Sequence, residues 1–110
     1  DLVDDQDLGV DVGRDREELL AEAEKVLGEA LGWNPDHPSL RVRLARLRLE
    51  RQDWAGAREQ LVLANRQDPF DPEIHAGLAL AEEALGDAAS ASRERRFAEI
   101  LRPQGRPATP

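Results

Sequence analysis

Apolar residues recur every three or four positions along most of the chain, which is the spacing of one face of an α-helix. In the first such segment, Asp15 followed by Glu18 has the pattern of a capping box, and Gly32 is suited to end the helix. Four further helices are predicted over residues 38–51, 54–67, 72–85 and 88–102. The pattern therefore predicts five helices and argues against a sheet.

The predicted boundaries depend on a few residues whose chemistry suits helix ends. Pro38 and Pro72 each stand in a first turn, where the missing backbone N–H costs nothing. Asp53 and Asp87 are suited to cap the helices that follow them, and Gly86 can adopt the left-handed conformation that ends a helix. Because the connections are short, successive helices are expected to run antiparallel as hairpins.

The pattern repeats after 34 residues. Ala23, Leu27, Ala30 and Pro35 have the same spacing as residues of the next copy, which indicates a partial copy upstream. The identical pairs at this shift are Pro35 and Pro69, Pro38 and Pro72, Leu44 and Leu78, Ala45 and Ala79, Asp53 and Asp87, Ala55 and Ala89, Ala57 and Ala91, Ala64 and Ala98, and Pro69 and Pro103.

A 34-residue period with Leu-Ala in a first helix, Ala-x-x-x-Leu-x-x-Ala in a second and a closing proline resembles the tetratricopeptide repeat family. The resemblance covers about residues 15–103. It implies an all-α fold, a right-handed α-solenoid of antiparallel helical hairpins with five helices. The chain departs from the family at Arg41, Arg48, His75 and Glu82, which stand where aromatic residues are usual, so a related helical-hairpin repeat is the alternative.

The two ends of the chain differ in composition from the repeats. Residues 1–14 contain five aspartates and predict an acidic, disordered extension, or a motif that docks onto a basic surface. Asp5 and Asp7 begin the alternation of a calcium-binding loop, but Gly9 occupies the next ligand position, which argues against calcium. Residues 104–110 predict a disordered tail or linker, which leaves residues 15–103 as the repeat domain.

Composition and charge narrow the class of function. The net charge of −8 argues against nucleic acid and anionic membranes, and no apolar run approaches the roughly 20 residues of a membrane span. Lys25 is the single lysine among the basic residues, which we interpret as a bacterial, GC-rich composition. A cytoplasmic location is favoured, with the periplasm as the alternative if a signal was removed.

Residues with catalytic or metal-binding chemistry are scattered. His37 and His75 lie in different repeats without metal-ligand spacing, and the chain contains no cysteine and no phosphate-binding loop. The sequence therefore predicts no catalytic residue, no metal and no cofactor, so the protein is not expected to be an enzyme. Trp33 and Trp54 are predicted to belong to the core, and a half-exposed Trp33 that serves as a contact anchor is the alternative.

The helix after Pro38 is basic within an acidic chain. Its helical spacing predicts that Arg43 and Arg46 are exposed, whereas Arg41 and Arg48 are expected to be structural. The resemblance implies that the first helix of each hairpin lines a concave groove. On that surface it places the predicted partner-binding residues Ser39, Val42, Arg43, Arg46, Leu49, Glu73, Ala76, Leu80 and Glu83.

These features predict a protein-interaction module or scaffold that binds a peptide or partner surface in the groove. Because guanidinium groups pair well with carboxylates, an acidic segment is the expected ligand of Arg43 and Arg46. The competing interpretation is ordinary salt bridging to glutamates of neighbouring helices. A regulatory or docking appendage of a larger enzyme or of a secretion or assembly complex is the alternative function, and a homo-oligomer stays open.

Overall fold

A computed structural model describes the backbone of residues 2–102 and the side chains of residues 15–102. Five α-helices and no strands make up the described backbone, and none of these helices is long and apolar enough to cross a membrane. The helices are α1 (Leu2–Trp33), α2 (Pro38–Glu50), α3 (Trp54–Gln67), α4 (Pro72–Ala84) and α5 (Ala88–Leu101).

The helices stack as a solenoid of hairpins. Helices α2 and α3 form one hairpin, α4 and α5 form the next, and α1 packs against α2 from the other side. Helix α3 also packs against α4, so the two hairpins lie side by side. The predicted all-α fold with five helices is confirmed.

Local chemistry fixes the ends of the last four helices. Asp53 accepts a hydrogen bond from the backbone N–H of Gly56 (3.0 Å), and Asp87 accepts one from Ser90 (3.1 Å), so both predicted caps are confirmed. Gly86 has φ +93°, the predicted left-handed conformation. These local signals explain why the predicted and observed ends agree closely.

The first helix begins earlier than the sequence predicts. Helix α1 starts at Leu2, not at Asp15, so the backbone of residues 2–14 continues the helix where a disordered extension was expected. The segment contains no proline, so no residue in it lacks the N–H that a continuous helix needs. Residues 1 and 103–110 lie outside the described residues, and the division of the chain into extension, domain and tail stays a prediction.

Small buried residues hold the helices together. Ala45 of α2 and Ala57 of α3 are fully buried, and Ala79 and Ala91 are buried at the corresponding positions of the next hairpin. A side chain of one methyl group allows two helix axes to approach closely. Larger residues, above all Leu61 and Ile74, fill the space between the two hairpins.

Candidate functional site

A groove lies between α2 and α4, the first helices of the two complete hairpins. It encloses about 180 Å³. We call it the central groove, and its lining residues are Val42, Ala45, Arg46, Leu49, Leu61, Glu73, Ala76, Gly77 and Leu80.

The floor of the central groove depends on a close approach of α3 and α4. A Cβ atom placed on Gly77 would lie 2.9 Å from Cδ1 of Leu61, which is closer than ordinary van der Waals contact. Leu80 stands at the rim with 60% of its surface exposed, whereas Val42 and Ala45 are buried below it. The groove is therefore apolar at its base and open to solvent above.

Most of the predicted partner-binding residues meet in the central groove: Val42, Arg46, Leu49, Glu73, Ala76 and Leu80 line it. The other three lie elsewhere. Arg43 lies beside α1, Glu83 pairs with Arg95 of α5 at 2.7 Å, and Ser39 is exposed outside the lining of the central groove. The binding role of all nine residues stays a prediction.

Three lining residues were missed by the sequence analysis: Ala45, Leu61 and Gly77. Ala45 and Leu61 are part of the repeated sequence pattern, and both are also buried in the core. Gly77 had no assigned role. The 34-residue register aligns it with the outward-facing Arg43, so the same helix position carries a long charged side chain in one hairpin and no side chain in the next. This difference was the sequence signal that could have identified Gly77.

The two exposed arginines of α2, Arg43 and Arg46, differ in their ion pairs. Arg46 forms an ion pair with Glu73 across the mouth of the central groove, and both side chains are about half exposed. Among the side chains of residues 15–102, Arg43 makes no ion pair or hydrogen bond. Both arginines are exposed, as predicted. The salt-bridge interpretation thus applies to Arg46 and not to Arg43.

A second groove, between α1 and α2, contains both of these arginines. We call it the side groove; it encloses about 660 Å³ and is lined by Ala23, Val26, Leu27, Arg43, Arg46, Leu47 and Glu50. Its α1 wall is apolar and its α2 wall carries the two guanidinium groups.

A recurring pair of contacts joins each first helix to its own hairpin. Arg41 of α2 donates to Pro35 O and to Gln60 Oε1, both at 3.0 Å. His75 occupies the same repeat position in α4; its Nε2 lies 2.8 Å from Pro69 O and its Nδ1 lies 2.6 Å from Glu94 Oε1. Each contact therefore ties a helix to its preceding loop and to the return helix. These residues replace two of the usual family aromatics.

His75 is buried, and its surroundings favour the protonated ring. Burial lowers its pKa, but hydrogen bonds to Glu94 and Pro69 and the charges of Glu94 and Asp71 outweigh burial, so the pKa is raised above its ordinary value. Both ring nitrogens face acceptors, which suits an imidazolium ion with two N–H donors. The ring also lies 5.5 Å from that of Phe97.

A recurring ion pair joins the first helix of each hairpin to the helix before that hairpin. The acidic and basic residues exchange places from one repeat to the next. Arg48 Nε donates to Glu24 Oε2 at 2.7 Å, and 34 residues later Glu82 faces Arg58 at 3.8 Å. Burial raises the pKa of Glu82, the charge of Glu94 raises it further, and Arg58 opposes the shift. The predicted structural roles of Arg41 and Arg48 agree with these contacts.

The prediction for one tryptophan was wrong. Trp33 is 84% exposed at the end of α1, whereas Trp54 is partly buried as the first residue of α3. The reason is that no helix within residues 2–102 covers that side of α1, so the core predicted around Trp33 does not form there.

The class of protein follows from the repeated hairpins, the alanine contacts at a 34-residue step and the groove between first helices: it is a helical-repeat solenoid. The family model for the tetratricopeptide repeat matches residues 16–81, more than half of the chain. The protein belongs to the tetratricopeptide repeat family. A search of the curated proteins found no match. Repeats of this family are generally protein–protein interaction modules and typically do not catalyse reactions.

Proposed function

We propose that the protein binds a peptide segment of a partner in the central groove, with an aliphatic side chain in the cavity and an acidic side chain against Arg43 and Arg46. The observation that supports this most directly is an apolar cavity, open to solvent, with Arg46 at its mouth in an exposed ion pair. Three residues earlier on the same helix, Arg43 makes no ion pair or hydrogen bond within residues 15–102. The two features together select a ligand that carries both an apolar and an acidic group.

The size of the cavity suits a side chain better than a free metabolite. Its volume of about 180 Å³ lies below the roughly 300–1,000 Å³ typical of small-molecule pockets. Burial of one Leu, Ile or Val side chain contributes about 1.5–3 kcal/mol, which is enough to anchor a short segment. A peptide held by one such anchor and one or two ion pairs binds with modest affinity.

The ion pair between Arg46 and Glu73 favours an acidic ligand in a specific way. Because both side chains are about half exposed, their pairing contributes only about 0–1 kcal/mol. A ligand carboxylate can therefore replace Glu73 as the partner of Arg46 at small cost. Arg43, which makes no ion pair or hydrogen bond within residues 15–102, can pair with a second acid. Arg43 and Arg46 thus favour acidic ligands, in addition to the apolar contact in the cavity.

A peptide array of aliphatic residues flanked by Asp or Glu, followed by fluorescence anisotropy on the peptides that bind, tests this proposal. The charge-reversing double variant Arg43→Glu, Arg46→Glu and the variant Leu80→Asp are each expected to weaken binding at least tenfold. The matched control, Arg66→Glu with Arg96→Glu, makes the same charge change at two exposed positions outside the groove and is expected to bind normally. Equal binding by the wild type and the first double variant would contradict the proposal.

A further inference from the structure

Within residues 2–102, α1 lacks the covering helix that the other return helices have. In the 34-residue register, α1 corresponds to α3 and α5, which are each covered by the first helix of their own hairpin. The backbone before residue 15 continues α1 as one helix from Leu2, so the described chain supplies no such helix to α1. The face concerned consists of Leu19, Ala23, Val26, Ala30 and Trp33, which we call the α1 seam.

In α3, the corresponding face is both buried and hydrogen-bonded. Ala57 and Ala64 are fully buried under α2. Gln60, between the two alanines, accepts a hydrogen bond from Arg41. Gln67, which follows them, donates one to Pro35 O at 3.1 Å. A covered return helix in this protein therefore combines buried alanines with polar residues that bond to the covering hairpin.

The α1 seam has the same alanines but apolar residues where α3 has glutamines. Val26 stands at the position of Gln60 and Trp33 at that of Gln67; they are 53% and 84% exposed. Leu19 is 68% exposed, and Ala23 and Ala30 are only partly buried. A helix face adapted to solvent would be charged, so these residues indicate a surface that an apolar partner covers.

The spacing of the α1 seam specifies a helix as the covering element. Its five residues are separated by steps of four, three, four and three, which is the heptad pattern of a helix–helix interface. The two alanines stand at alternate steps, where a small side chain allows another helix to approach closely. The repeat itself provides the template, because α2 and α4 cover the same positions of α3 and α5.

The charges on either side distinguish a partner helix from a second copy of the chain. On the α2 side the side groove presents Arg43, Arg46 and Glu50, the last of which pairs with Arg16, and on the outer edge α1 presents the exposed residues Glu22, Lys25 and Glu29. Two α1 helices paired antiparallel along the seam would bring the glutamates of both copies to the same edge, where they outnumber the lysines, which is unfavourable. Complementarity instead requires a partner helix that is acidic towards Arg43 and Arg46.

From these observations we infer that the α1 seam binds an amphipathic helix of a partner protein, which takes the place of the first helix of a hairpin. This helix presents small and apolar residues to Ala23, Val26 and Ala30, and its acidic edge pairs with Arg43 and Arg46. The apolar contacts of this interaction differ from those of peptide binding in the central groove, whereas Arg43 and Arg46 are common to both.

The probe for this surface is a helix-stabilised peptide of residues 71–86 of the chain itself, carrying His75→Leu. In the protein, this segment covers the alanines of α5, and in the repeat register its Glu83 would come close to Arg46 of α2. The leucine replaces a polar residue that faces Glu94 in α5 with one that suits Val26. The peptide is titrated into the full ¹⁵N-labelled chain and followed by the two tryptophan indole N–H signals in NMR spectra.

The Trp33 signal is expected to shift in proportion to the bound fraction while that of Trp54 stays in place. The shift should disappear in the variant Val26→Asp and persist in Leu80→Asp, which alters a residue of similar exposure in the central groove. No shift at millimolar peptide, or a shift that survives Val26→Asp, would overturn the inference. A dimer in sedimentation that Val26→Asp dissolves would also overturn it, in favour of a second copy as the occupant.

Discussion

Addition of one methyl group is expected to have opposite effects at two glycines inside helices. A Cβ atom on Gly28 of α1 would have no neighbour within 4 Å, whereas one on Gly77 of α4 would lie 2.9 Å from Cδ1 of Leu61. Leu61 is 2% exposed, and its Cδ2 would also lie 3.5 Å from the new Cβ, so the methyl group requires Leu61 to turn towards the central groove or α3 and α4 to move apart. The two positions thus separate helix propensity from helix packing.

The expected magnitudes follow from two opposing effects. Replacement of an interior helical glycine by alanine stabilises a helix by about 0.5–1 kcal/mol. At Gly28 nothing opposes this gain, so Gly28→Ala should stabilise the protein by that amount. At Gly77 the extra methyl group overfills the core, which costs about 1–3 kcal/mol, so Gly77→Ala should destabilise the protein by about 1–2 kcal/mol in net terms.

Urea unfolding followed by circular dichroism at 222 nm measures both effects, and each kcal/mol should also shift Tm by about 4–8 °C for a domain of this size. The variant Leu61→Val shortens the side chain that the new methyl group meets. In that background, Gly77→Ala should become neutral or stabilising. The proposed close approach of α3 and α4 is refuted if Gly77→Ala stabilises the otherwise unchanged protein as much as Gly28→Ala does.

Three other predictions concern contacts that the repeat places at corresponding positions. Because folding raises the pKa of His75, protonation of His75 stabilises the folded protein fully below pH 6.5, and this contribution is lost as pH rises through the raised pKa. The urea midpoint should therefore fall as pH rises above 6.5, and it should fall less in His75→Gln. Gln52 has φ 65° where the next hairpin has Gly86, so Gln52→Gly should stabilise and Gly86→Gln should destabilise by about 0.5–1 kcal/mol in thermal melts; shifts of the same sign would be inconsistent with this. Ala45 is fully buried, and Ala45→Leu should cost at least about 1–3 kcal/mol by urea titration, a value near zero counting against close hairpin packing.

Helix ends were predictable from sequence wherever a residue imposes its own local geometry. Asp53 and Asp87 cap the helices that follow them, and Gly86 ends α4, through contacts within a few residues of themselves. The start of α1 was not predictable in this way. Asp15 with Glu18 resembles a start signal, but such a signal does not prevent an existing helix from continuing through it.

At the rim of the central groove, helical spacing predicted that Arg46 faces outward, and the resemblance to the repeat family placed Leu80 on the groove surface. The floor was not predictable, because the contact between Leu61 and Gly77 exists only after α3 and α4 have packed together. The exposure of Trp33 was not predictable from the sequence either. An apolar residue at core spacing becomes buried only if another element covers it, and the periodicity of α1 alone does not reveal whether one does.

The replacement of family aromatics by polar residues has a common physical basis in both hairpins. A phenyl ring at the positions of Arg41 and His75 would fill space, but it has no donor for the carbonyl groups of Pro35 and Pro69. Arg41 and His75 do so, and their second donor groups reach the return helix. A buried donor with a fixed acceptor specifies one register of the hairpin, whereas apolar contacts tolerate small slips. The acceptors on the return helices are Gln60 and Glu94, and the corresponding residue of α1 is Val26, which cannot accept a hydrogen bond. The helix that covers α1 should therefore differ chemically from α2 and α4 at this position.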